Sequence, residues 1–252
     1  MQTDEIRPGK GLLEGKVVVV TAAAGTGIGS ATAERCRLEG ASVVISDIHE
    51  ARLRRRSEEM GVLGVPCDVT ADGAFDTLLD TVESEVGPVD VLINNAGLGG
   101  SAAVVDMTND QWQRVQDVTL GSAFQGTRAA MQRMIPRGRG AIVNVASVTG
   151  WRAEAGQAHY AAAKAGVMAL TRCAGVEAAP FGVRVNAVAP TLAMHAFLSK
   201  VSDPDVLAMW AERQPQGRAA RPEEIADVIV FLASDYSTYM AGEVISVGGQ
   251  HP

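Results

Sequence analysis

The sequence predicts an α/β protein in which a doubly wound parallel sheet of about seven strands carries helices on both faces. Short β-branched runs alternate with longer helical stretches, and several runs are apolar throughout, as strands buried on both faces are. Strand–helix alternation implies right-handed crossovers between parallel strands, which favours a single layered sheet. The 252 residues suffice for one large domain, placed over 1–252 with 1–14 as an N-terminal extension.

The bounds of the strands and helices are predicted from the order of these apolar and helical stretches. Strands are predicted, in chain order, at Lys16–Thr21, Ser42–Ser46, Val62–Cys67, Val89–Ile93, Ala141–Val145, Val183–Ala189 and Glu243–Val247. Helices are predicted at Ile28–Glu39, Ala71–Val86, Asp110–Met134 and Gln157–Ala179. Two stretches, Leu98–Thr108 and 191–220, interrupt the rhythm after predicted strand ends, where open α/β sheets bind ligands. The second is interpreted as a small helical lid over a substrate, with a packed helical excursion or a subunit contact as alternatives.

Composition narrows the class of protein. Hydrophobic residues make up 47% and charged residues 20%, as in soluble globular proteins, and the net charge of −7 argues against nucleic-acid binding. No apolar run reaches membrane-spanning length and residues 1–15 contain no signal core, so we expect a cytoplasmic protein without a membrane partner. Cys36, Cys67 and Cys173 lack metal-ligand spacing, which predicts reduced thiols and no metal site.

The segment Thr21–Gly29 reads TAAAGTGIG and lies between the first strand and the first helix. Glycines there let the backbone approach a pyrophosphate, and the helix N-terminus offers free N–H groups. Asp47 ends the second strand, where its carboxylate can accept hydrogen bonds from the adenosine ribose, besides capping the next helix. Because it would repel a 2′-phosphate, NAD is favoured over NADP. Arg52 and Arg54–Arg56 are interpreted as the solvated face of the next helix, with a 2′-phosphate clamp as the alternative.

Candidate dinucleotide contacts lie in this turn and at the ends of later strands and helices. They are Thr21, Ala23, Gly25, Thr26, Gly27, Ile28, Gly29, Asp47, Ile48, Asp68, Val69, Asn95, Ala96, Gly97, Tyr160, Lys164, Pro190, Thr191 and Leu192.

Tyr160 and Lys164 are four positions apart in a predicted helix, which places both side chains on one face. A cation beside a phenol favours the phenolate, and acid–base catalysis requires the pKa of Tyr160 to fall from ~10 toward neutrality. Lys164 is expected to supply part of that lowering and a positively charged oxidised nicotinamide more. Ser147 lies thirteen residues upstream, after the run Ala141–Val145, where its hydroxyl can bind the reacting oxygen. The pair alone equally fits a buried ring beside a snorkelling lysine, and the accompanying motifs decide against that alternative.

Together these residues resemble the short-chain dehydrogenase/reductase family, from about Gly11 to the C-terminus. The resemblance rests on the glycine-rich turn, Asp68, Asn94–Gly97, Ser147, Tyr160 with Lys164, Asn186–Pro190, Arg221–Ala226 and Phe231–Ser234. It implies a Rossmann-like fold in which Tyr160 is the general acid/base, Lys164 lowers its pKa and holds the nicotinamide ribose, and Ser147 binds the substrate oxygen. A hydride then passes between the nicotinamide and a carbon that bears a carbonyl or a hydroxyl.

The resemblance also implies a homotetramer assembled through the two long helices at Asp110–Met134 and Gln157–Ala179. Small residues would permit close approach of the second helix: Ala161, Ala162, Ala165 and Ala169.

Five positions depart from the family pattern. Ala22 follows Thr21 where the family has glycine, and one extra residue precedes Gly27, so the pyrophosphate loop should differ in shape. Thr119 replaces a helix asparagine that holds a water in a proton relay, and its hydroxyl is a candidate substitute. The remaining departures are Thr191 in place of glycine, His195 in place of a threonine near the carboxamide, and Gly248 in place of aspartate.

A narrower resemblance is to actinobacterial reductases of steroid-ring breakdown, which act on hydroxylated indane-type acyl-CoA thioesters. It rests on the alanines of Thr21–Gly29, on His195 and on the C-terminal residues 244–252. It implies an NAD-dependent enzyme that interconverts a secondary alcohol and a ketone on a bulky alicyclic hydroxyacyl-CoA. Candidate substrate contacts are Leu98, Gly99, Trp151, His195, Phe197 and Trp210. CoA phosphates could meet Arg152, Lys200, Arg213, Arg218 and Arg221, which fit scattered surface cations equally well.

Two other functions remain open at this stage. One is a 3-oxoacyl reductase for linear acyl-ACP or acyl-CoA chains, which Asp47 disfavours because such reductases usually prefer NADP. The other is a dinucleotide-sensing protein without catalysis, which the set Ser147, Tyr160 and Lys164 disfavours. His195 and His159 are interpreted as a polar contact and a structural residue, not as catalytic groups.

Overall fold

All seven strands form one parallel sheet in a computed structural model that describes residues 8–152, 154–194 and 204–249. The strands are β1 Val17–Val20, β2 Ser42–Asp47, β3 Leu63–Pro66, β4 Val91–Asn94, β5 Gly140–Val145, β6 Val183–Pro190 and β7 Val244–Val247. The helices are α1 Ile28–Leu38, α2 Glu50–Met60, α3 Ala74–Glu85, α4 Asn109–Gln116, α5 Ser122–Arg137, α6 Ala158–Ala178, α7 Pro204–Glu212 and α8 Pro222–Ala233. The predicted doubly wound sheet is confirmed.

The strand order is β3-β2-β1-β4-β5-β6-β7, with every neighbouring pair parallel. The chain therefore moves outward from β1 to β3 and then returns to the other side of β1 with β4. The carboxyl ends of β1 and β4 flank the point where the order reverses, and open α/β sheets bind ligands in the crevice at this point. The glycine-rich turn follows β1 and so lies at that crevice.

Helices cover both faces of the sheet because neighbouring residues of a strand point to opposite sides. On one face, Val18, Val20 and Ile45 pack with buried residues of α1, α2 and α8. On the other face, Val19 and Leu92 pack with buried residues of α3, α5 and α6. The strands are consequently apolar throughout, as the sequence predicted.

The helix predicted over Asp110–Met134 is divided by a π-helical turn at Asp117–Gly121. Thr108 begins α4 with a capping box, in which its hydroxyl accepts from the Gln111 N–H and the Gln111 side chain accepts from the Thr108 N–H. A π turn adds a residue to the helix and rotates the side chains that follow it, and such turns often lie at functional sites. This one carries Thr119, which is 1% exposed.

The described part of the predicted N-terminal extension is anchored at the end of α1 and buries one side chain in the core. Leu13 is fully buried, and the N–H groups of Lys10 and Leu12 donate to Glu39 Oε2 over 2.7 and 3.0 Å. Across the described residues, no helix is both long and apolar enough to cross a bilayer.

The predicted lid over 191–220 begins and ends at one point. The Ala220 N–H donates to the Leu192 carbonyl over 2.9 Å, and the Met194 N–H donates to the Ala220 carbonyl over 3.0 Å. Between these bonds, α7 buries Leu207, while Trp210 is half-buried and Met209 is exposed. Residues 195–203 lie outside the described residues, so the lid itself stays a prediction.

Candidate active site

Ser147 and Tyr160 meet because α6 packs tightly against the turn that follows β5. Ser147 caps that turn, a short 3₁₀ segment at Val148–Gly150, by accepting from the Thr149 N–H over 3.2 Å. A β-carbon on Gly150 would lie 2.9 Å from the Ala165 nitrogen of α6, so only glycine allows this approach. The Ser147 hydroxyl donates to the Thr149 hydroxyl over 3.2 Å and lies near enough to the Tyr160 oxygen to affect the pKa of the phenol. The two hydroxyls expected to bind one substrate oxygen are therefore adjacent.

Lys164 lies one helical turn beyond Tyr160 and is 3% exposed. Its Nζ donates to the Val145 carbonyl at the end of β5 over 2.5 Å. The same nitrogen lies 5.6 Å from the centroid of the Tyr160 ring, a cation–π distance. The ammonium is thus held between the sheet and the phenol ring.

Burial governs the acid–base properties of both residues. Burial raises the pKa of Tyr160, and the neighbouring Ser147 hydroxyl opposes that rise. Burial also lowers the pKa of Lys164 to about 8. In the protein alone, desolvation of the phenolate therefore dominates and Ser147 supplies the opposing effect. The lowering expected from Lys164 together with an oxidised nicotinamide stays a prediction.

The glycine-rich turn differs from the family pattern at Ala22, which adopts a left-handed conformation with φ of 51°. An L-residue in that region is strained by roughly 1–2 kcal/mol, whereas glycine is not. Asn95 holds the strained segment, since its Nδ2 donates to the carbonyls of Thr21 and Ala22 over 2.9 and 3.1 Å. The Asn95 side chain therefore supports the turn, and the contact of Asn95 with the cofactor stays a prediction.

Thr21 and Ala23 also support the turn, on the side that faces the sheet and the core. The Thr21 hydroxyl donates to the Ile93 carbonyl over 3.2 Å and accepts from the N–H groups of Asn95 and Ala96 over 3.0 and 3.3 Å. Ala23 is fully buried in the core. Both side chains therefore help to shape the turn, and the contacts of these residues with the cofactor stay predictions.

The remaining turn residues fit a dinucleotide pyrophosphate. α1 begins after Gly27 without a side-chain cap and without an acidic residue in its first turn, which leaves its N–H groups and positive dipole end for an anion. A β-carbon on Gly29 would lie 2.3 Å from Asn95 Nδ2, so this glycine lets α1 pack against the end of β4. A β-carbon on Gly25 would meet nothing within 4 Å, which leaves the outer side of the turn open.

Asp47 lies beside this turn, as its place at the end of β2 predicted. It is 4% exposed, and its Oδ2 accepts from the Ala24 N–H over 3.2 Å while its Oδ1 accepts from the His49 N–H over 3.0 Å. Arg52 Nη2 donates to the same Oδ1 over 2.9 Å. Arg52 keeps 39% of its side chain exposed, but it also pairs with Asp47, because α2 begins close enough to β2 for the guanidinium to reach the carboxylate. Arg54 and Arg55 are exposed as expected.

Two other strand ends contribute to the predicted cofactor groove. Asp68, after β3, is exposed, and its Oδ1 accepts from the Thr70 N–H and hydroxyl over 3.0 and 2.7 Å, which lowers the pKa of its carboxyl. A β-carbon on Gly97, after β4, would lie 3.3 Å from Lys164 Nζ. Exposure differs among the other predicted contacts: Ile48, Thr26 and Gly97 are exposed, Ile28, Val69, Thr191 and Leu192 are half-buried, and Ala96 and Pro190 are buried.

Thr119 faces the loop after β4. Its hydroxyl accepts from the Leu98 N–H over 3.1 Å and donates to the Leu98 carbonyl over 3.3 Å. The hydroxyl proton is thus already engaged, and the geometry favours a role in holding Leu98. The part of Thr119 in a proton relay stays a prediction.

The small-residue loop after β4 is pinned to the beginning of α6, by residues that sequence reasoning missed. Gln157 Nε2 donates to the Gly100 carbonyl over 2.8 Å, and the Ala102 N–H donates to the Gly156 carbonyl over 3.0 Å. His159 is buried beneath the loop, since a β-carbon on Gly100 would lie 3.1 Å from its Nε2. A structural position is what the sequence predicted for His159. The glycines at 100 and 156 were the features of the sequence that could have indicated this close approach of the loop to α6.

The candidate substrate contacts are only partly brought together. A β-carbon on Gly99 would lie 4.0 Å from Tyr160 Cδ2, and Trp151 follows the turn capped by Ser147 with 38% of its surface exposed. Leu98 is half-buried and Trp210 lies on α7. His195 and Phe197 lie outside the described residues.

Comparisons with known proteins agree with this geometry. A family model described as "Enoyl-(Acyl carrier protein) reductase" matches residues 22–250. The chain is 58% identical over 252 residues, 97% of its own length and 96% of the relative, to a Mycobacterium tuberculosis protein named (5R,7aS)-5-hydroxy-7a-methyl-1-oxo-2,3,5,6,7,7a-hexahydro-1H-indene-carboxyl-CoA reductase. It is 41% identical over 239 residues, 93% of its length and 95% of the relative, to a cis-4-hydroxycyclohexanecarboxylate dehydrogenase from Sinomonas cyclohexanicum.

A crystal structure of a short chain dehydrogenase from Mycobacterium smegmatis superposes with a TM-score of 0.88 at 52% identity, over 100% of this chain and 99% of that one. The chain belongs to the short-chain dehydrogenase/reductase family of oxidoreductases, whose chemistry uses a nicotinamide dinucleotide.

Proposed function

We propose that the protein is an NAD-dependent oxidoreductase that interconverts a secondary alcohol and a ketone on a bulky alicyclic hydroxyacyl-CoA. The observation that carries the reaction type is the contact between the Ser147 and Tyr160 hydroxyls, with the buried Lys164 ammonium beside the Tyr160 ring. The substrate class is supported by the names of two relatives, a bicyclic carboxyl-CoA reductase and a cyclohexanecarboxylate dehydrogenase.

In this reaction a bound nicotinamide supplies or accepts the hydride. Ser147 donates a hydrogen bond to the substrate oxygen and orients it toward Tyr160. Because burial raises its pKa, Tyr160 carries its proton at neutral pH and is ready to give it to a ketone oxygen. Lys164, fixed by the Val145 carbonyl, stabilises negative charge that develops on the phenol oxygen.

The choice of NAD is supported by Asp47. Its carboxylate has four lone-pair positions and uses three of them within the protein, for Ala24, His49 and Arg52. One position is left for a ribose hydroxyl. A 2′-phosphate at this place would meet a buried negative charge.

The proposal of a CoA thioester is supported by two arginines near candidate substrate contacts, one directly after Trp151 and one directly after α7. Arg152 and Arg213 are exposed and form no ion pair within the described part of the chain. Arg218 is a weaker candidate, because its two terminal nitrogens form a double hydrogen bond with Glu224 over 2.8 and 2.7 Å. Lys200 lies outside the described residues.

We also propose the homotetramer. On α6, Ala162 and Ala169 are exposed, and Phe124 on α5 is 46% exposed beneath the Arg128 guanidinium. Light scattering should give four times the monomer mass, whereas a stable monomer would contradict the proposal.

The function is tested by incubating the purified protein with NAD and secondary alcohols. The panel should include CoA thioesters of hydroxylated bicyclic and cyclohexane carboxylic acids, and linear 3-hydroxyacyl-CoA as the competing class. We expect Tyr160→Phe to lose nearly all turnover while NAD binding stays within about threefold. Tyr239→Phe, at a fully exposed tyrosine, is the matched control and should keep full activity.

Three results would point elsewhere. Full activity of Tyr160→Phe refutes the assigned chemistry. Preferred turnover of linear thioesters with NADP indicates a 3-oxoacyl reductase. Dinucleotide binding with no turnover across the whole panel indicates a sensing protein.

A further inference from the structure

Within the part of the chain that the structure describes, Arg52 makes one polar contact through a guanidinium that can make several. One of its terminal nitrogens donates to Asp47 Oδ1 over 2.9 Å, and its Nε is buried without an acceptor among the described residues. A guanidinium carries five N–H donors in a planar fork, a shape that matches phosphate oxygens. Asp47 and Arg52 are therefore joined by one hydrogen bond, and N–H donors of the guanidinium remain unused.

Room for an anion lies beside this pair. A cavity of about 470 Å³ separates the glycine-rich turn from α2, with Ala24–Thr26 and Ser30 on one side and Arg55, Arg56 and Glu59 on the other. Ala24 is also the residue whose N–H bonds Asp47, so the cavity begins next to the carboxylate. Arg52 lies three and four positions before Arg55 and Arg56 on α2, which puts it on the same face of the helix.

The arginines of this face differ in how far they are engaged. Arg56 donates to the Ser30 hydroxyl over 3.1 Å and lies near the carboxylates of Glu34 and Glu59. Arg55 is exposed and 3.9 Å from Glu59. Arg52 combines partial burial, an unused donor and a single acidic partner, which makes it the cation best placed to take a new anion.

We infer that Asp47 selects against NADP in two ways, through its own negative charge and by holding Arg52, the guanidinium that would otherwise bind a 2′-phosphate. The inference rests on the proposed use of NAD. It makes Arg52 a second residue that determines cofactor choice. Once the charge of Asp47 is removed, Arg52 and the cavity beside it form a binding site for the 2′-phosphate of NADP.

The test measures binding of NAD and NADP by calorimetry, without any substrate. We expect Asp47→Asn to tighten NADP binding by roughly tenfold or more, because a charge-assisted hydrogen bond replaces a repulsion. Adding Arg52→Gln to that variant should remove most of the gain. Adding Arg54→Gln instead, at an exposed arginine outside the cavity, controls for lost positive charge and should leave the gain in place. Equal NADP affinity of Asp47→Asn with and without Arg52→Gln would overturn the inference.

A second variant keeps the test decisive if Asp47→Asn fails to fold. Arg52→Gln in the natural background leaves Asp47 uncompensated, so NADP should bind several-fold more weakly while NAD binding is retained. Tighter NADP binding in this variant would contradict the inference. A protein that binds NAD but oxidises no alcohol fails the proposed function and leaves this inference intact, whereas one that binds neither dinucleotide overturns both.

Discussion

The Thr191 side chain fills the space that a side chain at position 248 would need. A β-carbon on Gly248 would lie 2.2 Å from Thr191 Cγ2 and 2.6 Å from its Oγ1. The two residues follow the last two strands, and the Thr191 N–H donates to the Val247 carbonyl over 3.1 Å. The family pattern has glycine at the first position and aspartate at the second. In this chain the side chain stands at the end of β6 and glycine at the end of β7, so the two departures fit together in space.

The coupling can be measured with a double-mutant cycle. We expect Gly248→Ala to lower the free energy of unfolding by roughly 1–3 kcal/mol, because the added methyl overlaps Thr191. In a Thr191→Gly background the same substitution should cost about 1 kcal/mol less. Denaturant unfolding of the four proteins gives both values. Additive effects of the two substitutions would show that the side chains do not compete for space.

Ala22 offers a second stability test, because its left-handed backbone is one that glycine adopts without strain. We expect Ala22→Gly to raise the free energy of unfolding by about 1 kcal/mol. Ala51→Gly, at an exposed position inside α2, is the matched control and should lower it by roughly 0.5–1 kcal/mol. A loss of stability in Ala22→Gly would mean that the turn is not strained at this residue.

The parts of the fold that the sequence predicted are those governed by local pattern. Apolar runs such as Val17–Val20 can be buried on both faces only inside a covered parallel sheet. The proximity of Ser147 and Tyr160 could be predicted, because Ser147 follows the end of a strand and Tyr160 lies in the first turn of the next helix. The π turn was missed, since one extra residue in a 3.6-residue repeat leaves the pattern of apolar residues almost unchanged.

The contacts that the sequence did not predict are those whose partner depends on packing. The Asn95 amide, for example, binds two carbonyls that the left-handed Ala22 exposes. Arg52 was placed on the solvated face, although the short turn between β2 and α2 brings it to Asp47. The rise in the Tyr160 pKa in the protein alone was not predicted, because the sequence shows the neighbouring cation and not the depth of burial. The cytoplasmic location and the lid stay predictions.

Lys164 should give the stability of the protein a distinctive dependence on pH. Burial lowers its pKa from 10.5 to about 8, so between these values the unfolded chain binds more protons than the folded one. Stability from this group therefore rises as pH increases from about 8 toward 10, by up to roughly 3 kcal/mol if the window is completed. The raised pKa of Tyr160 acts in the opposite direction only above its unfolded value of ~10.

The measurement compares the natural protein with Lys164→Met by denaturant unfolding from pH 7 to 10. We expect the natural protein to gain stability relative to the variant as pH rises through this range. Tyr160→Phe keeps the lysine and should retain the same slope up to pH 10, which makes it the control. Parallel curves for the natural protein and Lys164→Met would show that the lysine titrates normally.

Thr119→Val separates the two roles open to Thr119. If the hydroxyl holds Leu98, the isosteric valine leaves a partly buried N–H and carbonyl without their partner and should lower the free energy of unfolding by about 1–3 kcal/mol. The displaced loop should then raise KM more than it lowers kcat, because Gly99 lies beside the Tyr160 ring. Thr119→Ser keeps the hydroxyl and should restore both. An unchanged stability together with a large fall in kcat would instead assign Thr119 to the proton relay, because the hydroxyl would then matter only during turnover.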